Sequence, residues 1–124
     1  MSPGVWYLHI WSKRILKRFG FPSRIVDPHG RPYTLKKAQR CVGVGWKDLV
    51  AEAYGHLLDG ATVWQVKEKF GGLRFYYSDV VEHEEIGKIE EKSFTICEMC
   101  GAPGVPRTIR HWVVTMCDAC DAEC

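Results

Sequence analysis

Two pairs of cysteines in the last third of the chain have the spacing of metal ligands. Cys97 and Cys100 are separated by two residues, as are Cys117 and Cys120, and sixteen residues lie between the pairs. Two intervening residues allow both sulfurs of a pair to reach one ion at about 2.3 Å, and two such pairs complete a tetrahedron. The pattern predicts a structural Zn²⁺ site. Paired disulfides and an iron–sulfur or redox function are the alternatives that it leaves open.

Other residues bear on which atoms would hold the ion. Cys124 lies four residues after Cys120 and could replace one ligand if the last turn is helical, and His111 is a second candidate substitute. Cys41 stands alone beside glycines, so we predict that it is a small buried residue. Gly101 follows the first pair, where a backbone that turns back over a sulfur benefits from a positive φ. Four thiolates would leave no coordination position for a catalytic water.

Signatures of catalysis are missing from the sequence. It contains no Walker loop, no H-E-x-x-H and no G-x-S-x-G segment. The string GVGW at residues 43–46 is too short for a dinucleotide-binding fingerprint, and the five histidines show no metal-ligand spacing. We therefore predict that the protein is not an enzyme.

The composition is that of one folded domain. Of the 124 residues, 46% are hydrophobic and 26% are charged, which excludes a disordered tail and a low-complexity linker. No apolar stretch approaches roughly 18 residues, so a membrane span is not expected. The N-terminal apolar run has its basic residues after it, which is the wrong order for a signal peptide. We therefore expect a cytosolic protein, in whose reducing surroundings clustered cysteines favour metal over disulfides.

Charge is unevenly distributed along the chain. Residues 1–40 contain nine basic residues and one acidic residue, a formal charge of +8, whereas residues 41–124 carry −6. Hydrophobic residues at helical spacing predict a helix over residues 5–19, and four basic residues lie largely on its other faces: Lys13, Arg14, Lys17 and Arg18. This asymmetry favours a local anionic partner, or an acidic cover within the fold.

The elements that follow are predicted from glycine, proline and hydrophobic spacing. Residues 20–45 hold four glycines and three prolines and are expected to be irregular, with one helical turn around residues 35–38. A helix is predicted over residues 46–58, ended by Asp59-Gly60. Another is predicted over residues 80–93, with Ile86 and Ile89 inward and glutamates mostly outward. Between the cysteine pairs, the β-branched runs at residues 108–109 and 113–115 predict a short hairpin.

Residues 61–78 predict a β-hairpin around Gly71-Gly72, a pair that accepts the positive φ of a type I′ turn. A two-residue loop there would pair Phe70 with Leu73, Glu68 with Phe75, and Val66 with Tyr77. Four residues of one face are predicted to be buried: Trp64, Phe70, Leu73 and Phe75. Glu68 falls on the same row, a misfit that a longer loop would remove. The other face would carry Lys67, Lys69, Arg74 and Tyr76, either as an ordinary solvated surface or as a nucleic-acid-binding one with a stacking aromatic.

Three strings resemble a known group when taken together. They are WQVKEKFGGLRFYYS at residues 64–78, TICEMCGAPG at residues 95–104, and the approach to the second cysteine pair at residues 112–117. They resemble small zinc-knuckle proteins encoded by bacteriophages and prophages, which share a KEKFGGLRFY segment followed by a CxxCG unit. The resemblance covers residues 43–120 and implies a phage setting, and with it the cytoplasm of a bacterial host, rather than a mechanism. The ending CDACDAEC is richer in cysteine than the resemblance implies for the second ligand pair.

These observations predict a single α+β domain over residues 1–124. It would comprise a basic N-terminal segment (1–42), a helix–hairpin–helix core (43–93) and a C-terminal zinc-ribbon or treble-clef-like unit (94–124). The predicted function is that of a non-enzymatic, phage-type accessory protein that engages nucleic acid or a nucleoprotein complex through basic surfaces. The alternative is a phage-encoded inhibitor that binds and blocks a host or bacterial defence protein, in an anti-CRISPR-like or other anti-defence role.

Overall fold

In the part of the chain that the structure describes, four short helices and two antiparallel hairpins follow one another. The computed structural model describes residues 25–78 and 82–123. The helix predicted over residues 5–19, with its four basic residues, and Cys124 lie outside this part of the chain. The elements, in order, are α1 (Leu35–Gln39), a 3-10 turn (Val44–Trp46), α2 (Lys47–Gly55), β1 (Val63–Lys69), β2 (Gly72–Tyr77), α3 (His83–Lys92), a 3-10 turn (Ser93–Thr95), β3 (Val105–Ile109), β4 (Trp112–Met116) and α4 (Asp118–Glu123). The α+β class predicted from the sequence is confirmed.

Helix α1 matches the single helical turn predicted at residues 35–38, and the hydroxyl of Thr34 caps it by accepting the N–H of Lys37. Helix α2 is shorter than predicted, because it ends at Gly55 rather than at Leu58. Beyond Gly55 the chain tightens into a turn in which the N–H of Leu57 donates to the carbonyl of Tyr54. This turn directs Leu57 into the core, where its side chain is fully buried.

The main core lies between the first hairpin and helices α2 and α3. Trp46 is fully buried, and residues from the helices and from the first hairpin join it in one cluster. They include Leu49, Val50 and Ala53 of α2, Ile86 and Ile89 of α3, and Val63, Val66, Leu73 and Phe75 of the hairpin. The inward orientation predicted for Ile86 and Ile89 is therefore confirmed.

In the part of the chain that the structure describes, no helix is long and apolar enough to cross a membrane.

The turn of the first hairpin lies one residue earlier than predicted. Lys69 pairs with Gly72, Glu68 with Leu73, and Val66 with Phe75, so the turn residues are Phe70 and Gly71. Both have positive φ (53° and 83°), as a type I′ turn requires. The carboxylate of Glu68 accepts the N–H of Gly71 at 2.7 Å. This hydrogen bond explains the position of Glu68, which did not fit the apolar row in the predicted register.

Two side chains of this hairpin that were predicted to be buried are exposed. Phe70 is 69% exposed because it occupies the turn itself, and Trp64 is 60% exposed. The ladder shifts by one residue between Val63 and Gln65, which is a β-bulge. The extra residue lets Val63 and Val66 both reach the core and leaves Trp64 facing away from it. The burial predicted for Leu73 and Phe75 is confirmed.

The second hairpin packs against the turn of the first. Its strands β3 and β4 pair from Val105 with Met116 to Ile109 with Trp112, which confirms the hairpin predicted between the cysteine pairs. The buried hydroxyl of Thr115 donates to the carbonyl of Gly71 at 2.6 Å. A Cβ built on Gly71 would lie 3.1 Å from Cγ1 of Val113. A side chain at this position would crowd β4, and the φ of 83° also favours glycine at this turn.

Candidate metal centre

The first cysteine pair lies in a tight backbone loop that follows the second 3-10 turn. Ile96 and Pro103 form an isolated antiparallel bridge, the N–H of Cys97 donates to the carbonyl of Ala102 at 2.7 Å, and the N–H of Gly101 donates to the carbonyl of Cys97 at 2.9 Å. Gly101 has a φ of 84°, which confirms the positive φ expected there. The loop therefore directs both sulfurs of the pair to one side.

The second pair lies where β4 gives way to α4. Cys117 follows the last residue of β4, and Cys120 lies in the first turn of the helix. The N–H of Cys120 approaches the sulfur of Cys117 at 3.4 Å, and the N–H of Asp121 donates to the carbonyl of Cys117 at 3.0 Å. A loop, a hairpin and a helix thus supply the four sulfurs. This order corresponds to the treble-clef-like form of the predicted unit rather than to a ribbon.

The four sulfurs form a cluster of the size that a metal ion needs. The Sγ atoms of Cys97, Cys100, Cys117 and Cys120 all lie within 4.8 Å of one another, and those of Cys100 and Cys117 are 3.6 Å apart. A tetrahedral ion with metal–sulfur distances of about 2.3 Å separates its ligands by about 3.8 Å, so the thiols fit such an ion. Within residues 25–78 and 82–123, this is the one group of three or more potential ligands. His111 is exposed in the turn of the second hairpin and does not belong to this group of potential ligands. We refer to the four cysteines as the metal centre.

The environment favours ionisation of one thiol in particular. Burial opposes the charge on Cys97, but backbone N–H groups of Cys117, Cys100 and Met99 outweigh it and lower the pKa of this thiol to about 6. The pKa of Cys120 is raised, because its thiol shares hydrogen bonds with the other three sulfurs. The backbone surroundings of Cys97 therefore favour its thiolate form. A bound divalent cation would favour ionisation of the remaining thiols.

The metal centre is anchored to the main core through the GVGW segment, to which the sequence pattern assigned no role. The N–H of Gly45 donates to the carbonyl of Glu98 at 2.8 Å, and the indole N–H of Trp46 donates to the carbonyl of Ile96 at 2.8 Å. A Cβ on Gly45 would collide with the carbonyl oxygen of Cys97. The segment thus fixes the first loop by direct backbone contact, which only glycine permits at this position.

Helix α4 is held by one arginine that the sequence pattern also left unassigned. Arg107 of β3 forms ion pairs with Asp118 at 2.6 Å and with Asp121 at 3.0 Å. Its Nε donates to the carbonyl of Met116 at 3.0 Å. These contacts fix the first turn of α4 relative to β4, and therefore the position of Cys120 relative to Cys117. The two aspartates, at spacing i and i+3 on a helix, are the sequence signal that could have indicated a basic partner.

Cys41 is not part of the metal centre, and the prediction that it is buried is wrong. The residue is exposed just after α1, and its thiol donates to the carbonyl of Lys37 at 3.3 Å. The hydrogen bond holds the side chain back along the helix rather than in the core.

A second candidate site lies on the outer face of the first hairpin. Lys67 pairs with Arg74 across the strands, and Gln65 pairs with Tyr76, so these residues share the face opposite the core. The ammonium of Lys67 lies 5.6 Å from the ring centroid of Tyr76. We refer to this surface as the basic face; its members are Lys67, Lys69, Arg74 and Tyr76. The structure brings together these four predicted binding residues, whereas the other four, Lys13, Arg14, Lys17 and Arg18, lie outside the described residues.

The carboxylates of α3 engage partners other than the basic face. Glu85 pairs with Lys88 at 3.2 Å, Glu82 lies 3.3 Å from His56, and Glu90 accepts the backbone N–H of Phe75 at 2.9 Å. Among the residues that the structure describes, no carboxylate forms an ion pair with Lys67, Lys69 or Arg74. The described part of α3 therefore places one carboxylate, that of Glu90, in the same hollow as Lys69 and Arg74, without an ion pair to either.

Comparison with known protein families, with curated proteins and with solved structures finds no match to this chain. Any function must therefore be argued from the geometry of the metal centre and the basic face.

Proposed function

We propose that this protein is a non-enzymatic, phage-type accessory module in which a structural zinc ion organises the C-terminal unit and basic surfaces bind nucleic acid or a nucleoprotein complex. The observation that carries the proposal is the combination of a four-thiol cluster with a strip of unpaired basic residues on the neighbouring hairpin. A metal bound by four cysteines holds a fold together and leaves no open position for substrate. Binding, rather than catalysis, is the activity that such a site supports.

Zinc is the metal that the ligand set favours. Four thiolates in a tetrahedral arrangement are typical of Zn²⁺ and of iron–sulfur proteins. Because all four sulfurs lie within 4.8 Å of one another, the cluster fits one small ion between them. When bound, the ion would supply cross-linking of β4, α4 and the first loop, which form little hydrophobic core of their own.

Elemental analysis of the reduced, purified full chain tests the metal. We expect one zinc per chain in the wild type, no zinc in Cys120→Ser, and full occupancy in Cys41→Ser, the matched control outside the metal centre. Cys124→Ser should also keep its zinc. A folded, reduced wild-type protein without metal would overturn the proposal, and zinc retained by Cys120→Ser but lost from Cys124→Ser would show that a different terminal residue is the ligand.

Nucleic-acid binding is supported by the chemistry of the basic face. Lys67, Lys69 and Arg74 carry three positive charges along one side of a two-stranded sheet. Such charges bind phosphates through release of counterions, which makes affinity fall steeply with salt. The four basic residues of the N-terminal segment (Lys13, Arg14, Lys17 and Arg18) would extend the same electrostatic attraction.

A double charge reversal with a matched control tests whether the basic face binds nucleic acid. Lys67→Glu with Lys69→Glu should weaken binding to a labelled oligonucleotide at low salt and reduce the slope of log affinity against log salt by about 1.4, from two lost phosphate contacts on a single strand. Lys88→Glu with Lys92→Glu makes the same change in net charge on α3 and should leave the slope unchanged. Charge reversal at Lys13, Arg14, Lys17 and Arg18 gives the contribution of the N-terminal segment. If the wild type fails to bind nucleic acid at low salt, the proposal is wrong.

A second candidate function is inhibition of a host or bacterial defence protein. Trp112, near the tip of the second hairpin, is 75% exposed. An exposed tryptophan is the kind of residue that anchors protein interfaces. This candidate would gain support if the wild type binds no nucleic acid and Trp112→Ala abolishes capture of a defined host protein.

A further inference from the structure

We infer that the nucleic acid taken by the basic face is single-stranded, and that Trp64 and Tyr76 are the residues on which its bases stack. The inference rests on the proposed function and names its ligand class. Its starting point is the β-bulge at Val63 and Gln65, which turns Trp64 away from the core. The alternating pattern alone would have buried this side chain, so the bulge brings an indole to the surface, where it shares a hollow with Lys67.

Trp64 and Tyr76 line a common hollow. One hollow of about 550 Å³ is lined by Trp64, Gln65, Lys67, Tyr76 and Tyr77. A second, of about 560 Å³, lies beside it and shares both tyrosines; its other lining residues include Lys69, Phe70 and Arg74. The second hollow is also lined by Phe75, His83 and Glu90, so it extends towards α3. Each therefore combines an aromatic surface with a cation, which is the pairing that one nucleotide requires.

The charges around the hollows fit an anionic strand. The ammonium of Lys67 lies over the Tyr76 ring. A base that stacks on this ring would displace the ammonium, which could then bind a phosphate of the same strand. Glu90 also lines the second hollow, where its carboxylate accepts the N–H of Phe75 at 2.9 Å, and it is the one carboxylate among the lining residues of the two hollows, against three cations. The surface thus offers three cations for phosphates and two exposed rings for bases.

Exposed rings distinguish a single strand from a duplex. A two-stranded β-ribbon can enter the major groove of duplex DNA, where polar side chains read the edges of the bases. In a duplex, however, the bases stack on one another and leave their faces unavailable. Trp64 is 60% exposed and Tyr76 is 40% exposed, so both have free ring surface on which unpaired bases, but not the bases of an intact duplex, can stack.

The test compares a labelled single-stranded oligothymidylate with a labelled duplex of the same length, using the zinc-loaded full chain. We expect tighter binding to the single strand. Trp64→Leu should weaken this binding about 5- to 150-fold, the range for loss of one stacked base. Trp64→Phe keeps an aromatic ring and should retain most of the affinity. Trp112→Leu is the matched control, because it removes an exposed tryptophan from the other hairpin and should leave the affinity unchanged.

The outcomes separate this inference from the function on which it rests. If Lys67→Glu with Lys69→Glu weakens binding but Trp64→Leu does not, the stacking role is wrong and the basic face still binds nucleic acid. Tighter binding to the duplex would overturn the single-strand assignment in favour of a major-groove ribbon. If the wild type binds neither probe at low salt, both the inference and the proposed function are wrong. A urea titration of Trp64→Leu should match the wild type, which shows that any loss of affinity is not a loss of folding.

Discussion

Truncation of Phe75 is the sharpest test of how the first hairpin packs. Phe75 lies in the middle of β2, pairs with Val66 and is 2% exposed. Its ring belongs to the main core, and its centroid lies 6.1 Å from that of Tyr77. The next residue, Tyr76, points to the opposite face and is 40% exposed. Phe75→Ala and Tyr76→Ala therefore remove similar aromatic groups from opposite sides of one strand.

The expected magnitudes differ by several kcal/mol. Replacing a buried phenylalanine by alanine costs about 3–5 kcal/mol, because apolar contacts are lost and the surrounding structure closes the cavity only in part. The hydrogen bond from the Phe75 N–H to Glu90 remains, since it involves only the backbone of residue 75. Tyr76→Ala removes an exposed ring and should cost less than about 1 kcal/mol.

Urea unfolding of the zinc-saturated chain, with the same free zinc for each variant, measures both values. With an m value of about 1.5 kcal/mol/M, Phe75→Ala should lower the midpoint by about 2–3 M, and Tyr76→Ala by less than about 0.7 M. Equal midpoint shifts for the two variants would refute the assignment of core and outer faces. A lower m value for Phe75→Ala would instead indicate loss of two-state unfolding, in which case near-UV circular dichroism of the folded state replaces the free energy as the measure of packing.

Three further changes probe the contacts around the metal centre. Gly45→Ala forces a Cβ against the backbone of the first loop, so we expect a loss of about 3 kcal/mol in urea and weaker zinc retention against a chelator. Thr115→Val removes the hydroxyl that joins the two hairpins and leaves a buried carbonyl unpaired, which should cost about 1–3 kcal/mol by the same titration. Arg110 and His111 occupy the turn of the second hairpin with φ of 48° and 71°, so Arg110→Asn with His111→Gly should raise the free energy of unfolding by about 1 kcal/mol or more.

Each of these changes has a result that would contradict it. For Gly45→Ala the control is Gly55→Ala, where a new Cβ meets no atom within 4 Å; similar losses in both variants would remove the case for a special contact at Gly45. An unchanged midpoint for Thr115→Val would mean that the hairpins do not depend on this hydrogen bond. A lower melting temperature for the double turn variant would show that Arg110 and His111 make contacts that outweigh their backbone strain.

The spacing of the cysteines was sufficient to predict that four thiols come together in a cluster of a size that could hold a metal ion. Two residues between the members of a pair is a local constraint, and it brings both sulfurs of the pair to the same side of a turn whatever surrounds it. The same holds for the positive φ of Gly101 and for the hairpin between the pairs, which rest on residues close in sequence. The amphipathic segments likewise predicted α2, α3 and the burial of Ile86 and Ile89, because one apolar face of a helix must cover a core.

The contacts that anchor the metal centre could not be predicted in this way. The Gly45 contact, the Trp46 indole hydrogen bond and the Arg107 ion pairs each join segments that are distant in sequence or placed only by packing. GVGW could be excluded as a nucleotide-binding motif, but its role appears only when the first loop lies against it. Arg107 likewise gains its role only once α4 lies beside β3.

The first hairpin shows most clearly what the sequence pattern predicts and what only the packing of the folded chain decides. Alternation determined which residues share a face, and a register error of two residues left the faces of Val66, Leu73 and Phe75 unchanged, because side chains repeat every two residues. Alternation could not determine where a residue would be inserted into the ladder. The packing of Val63 and Val66 against the helices decided the bulge, and the bulge placed Trp64 on the outer face. The sequence by itself therefore determined the local geometry of the hairpin and of the cysteine pairs. Tertiary packing decided which aromatic side chains face solvent, because burial depends on residues that come together only in the folded chain.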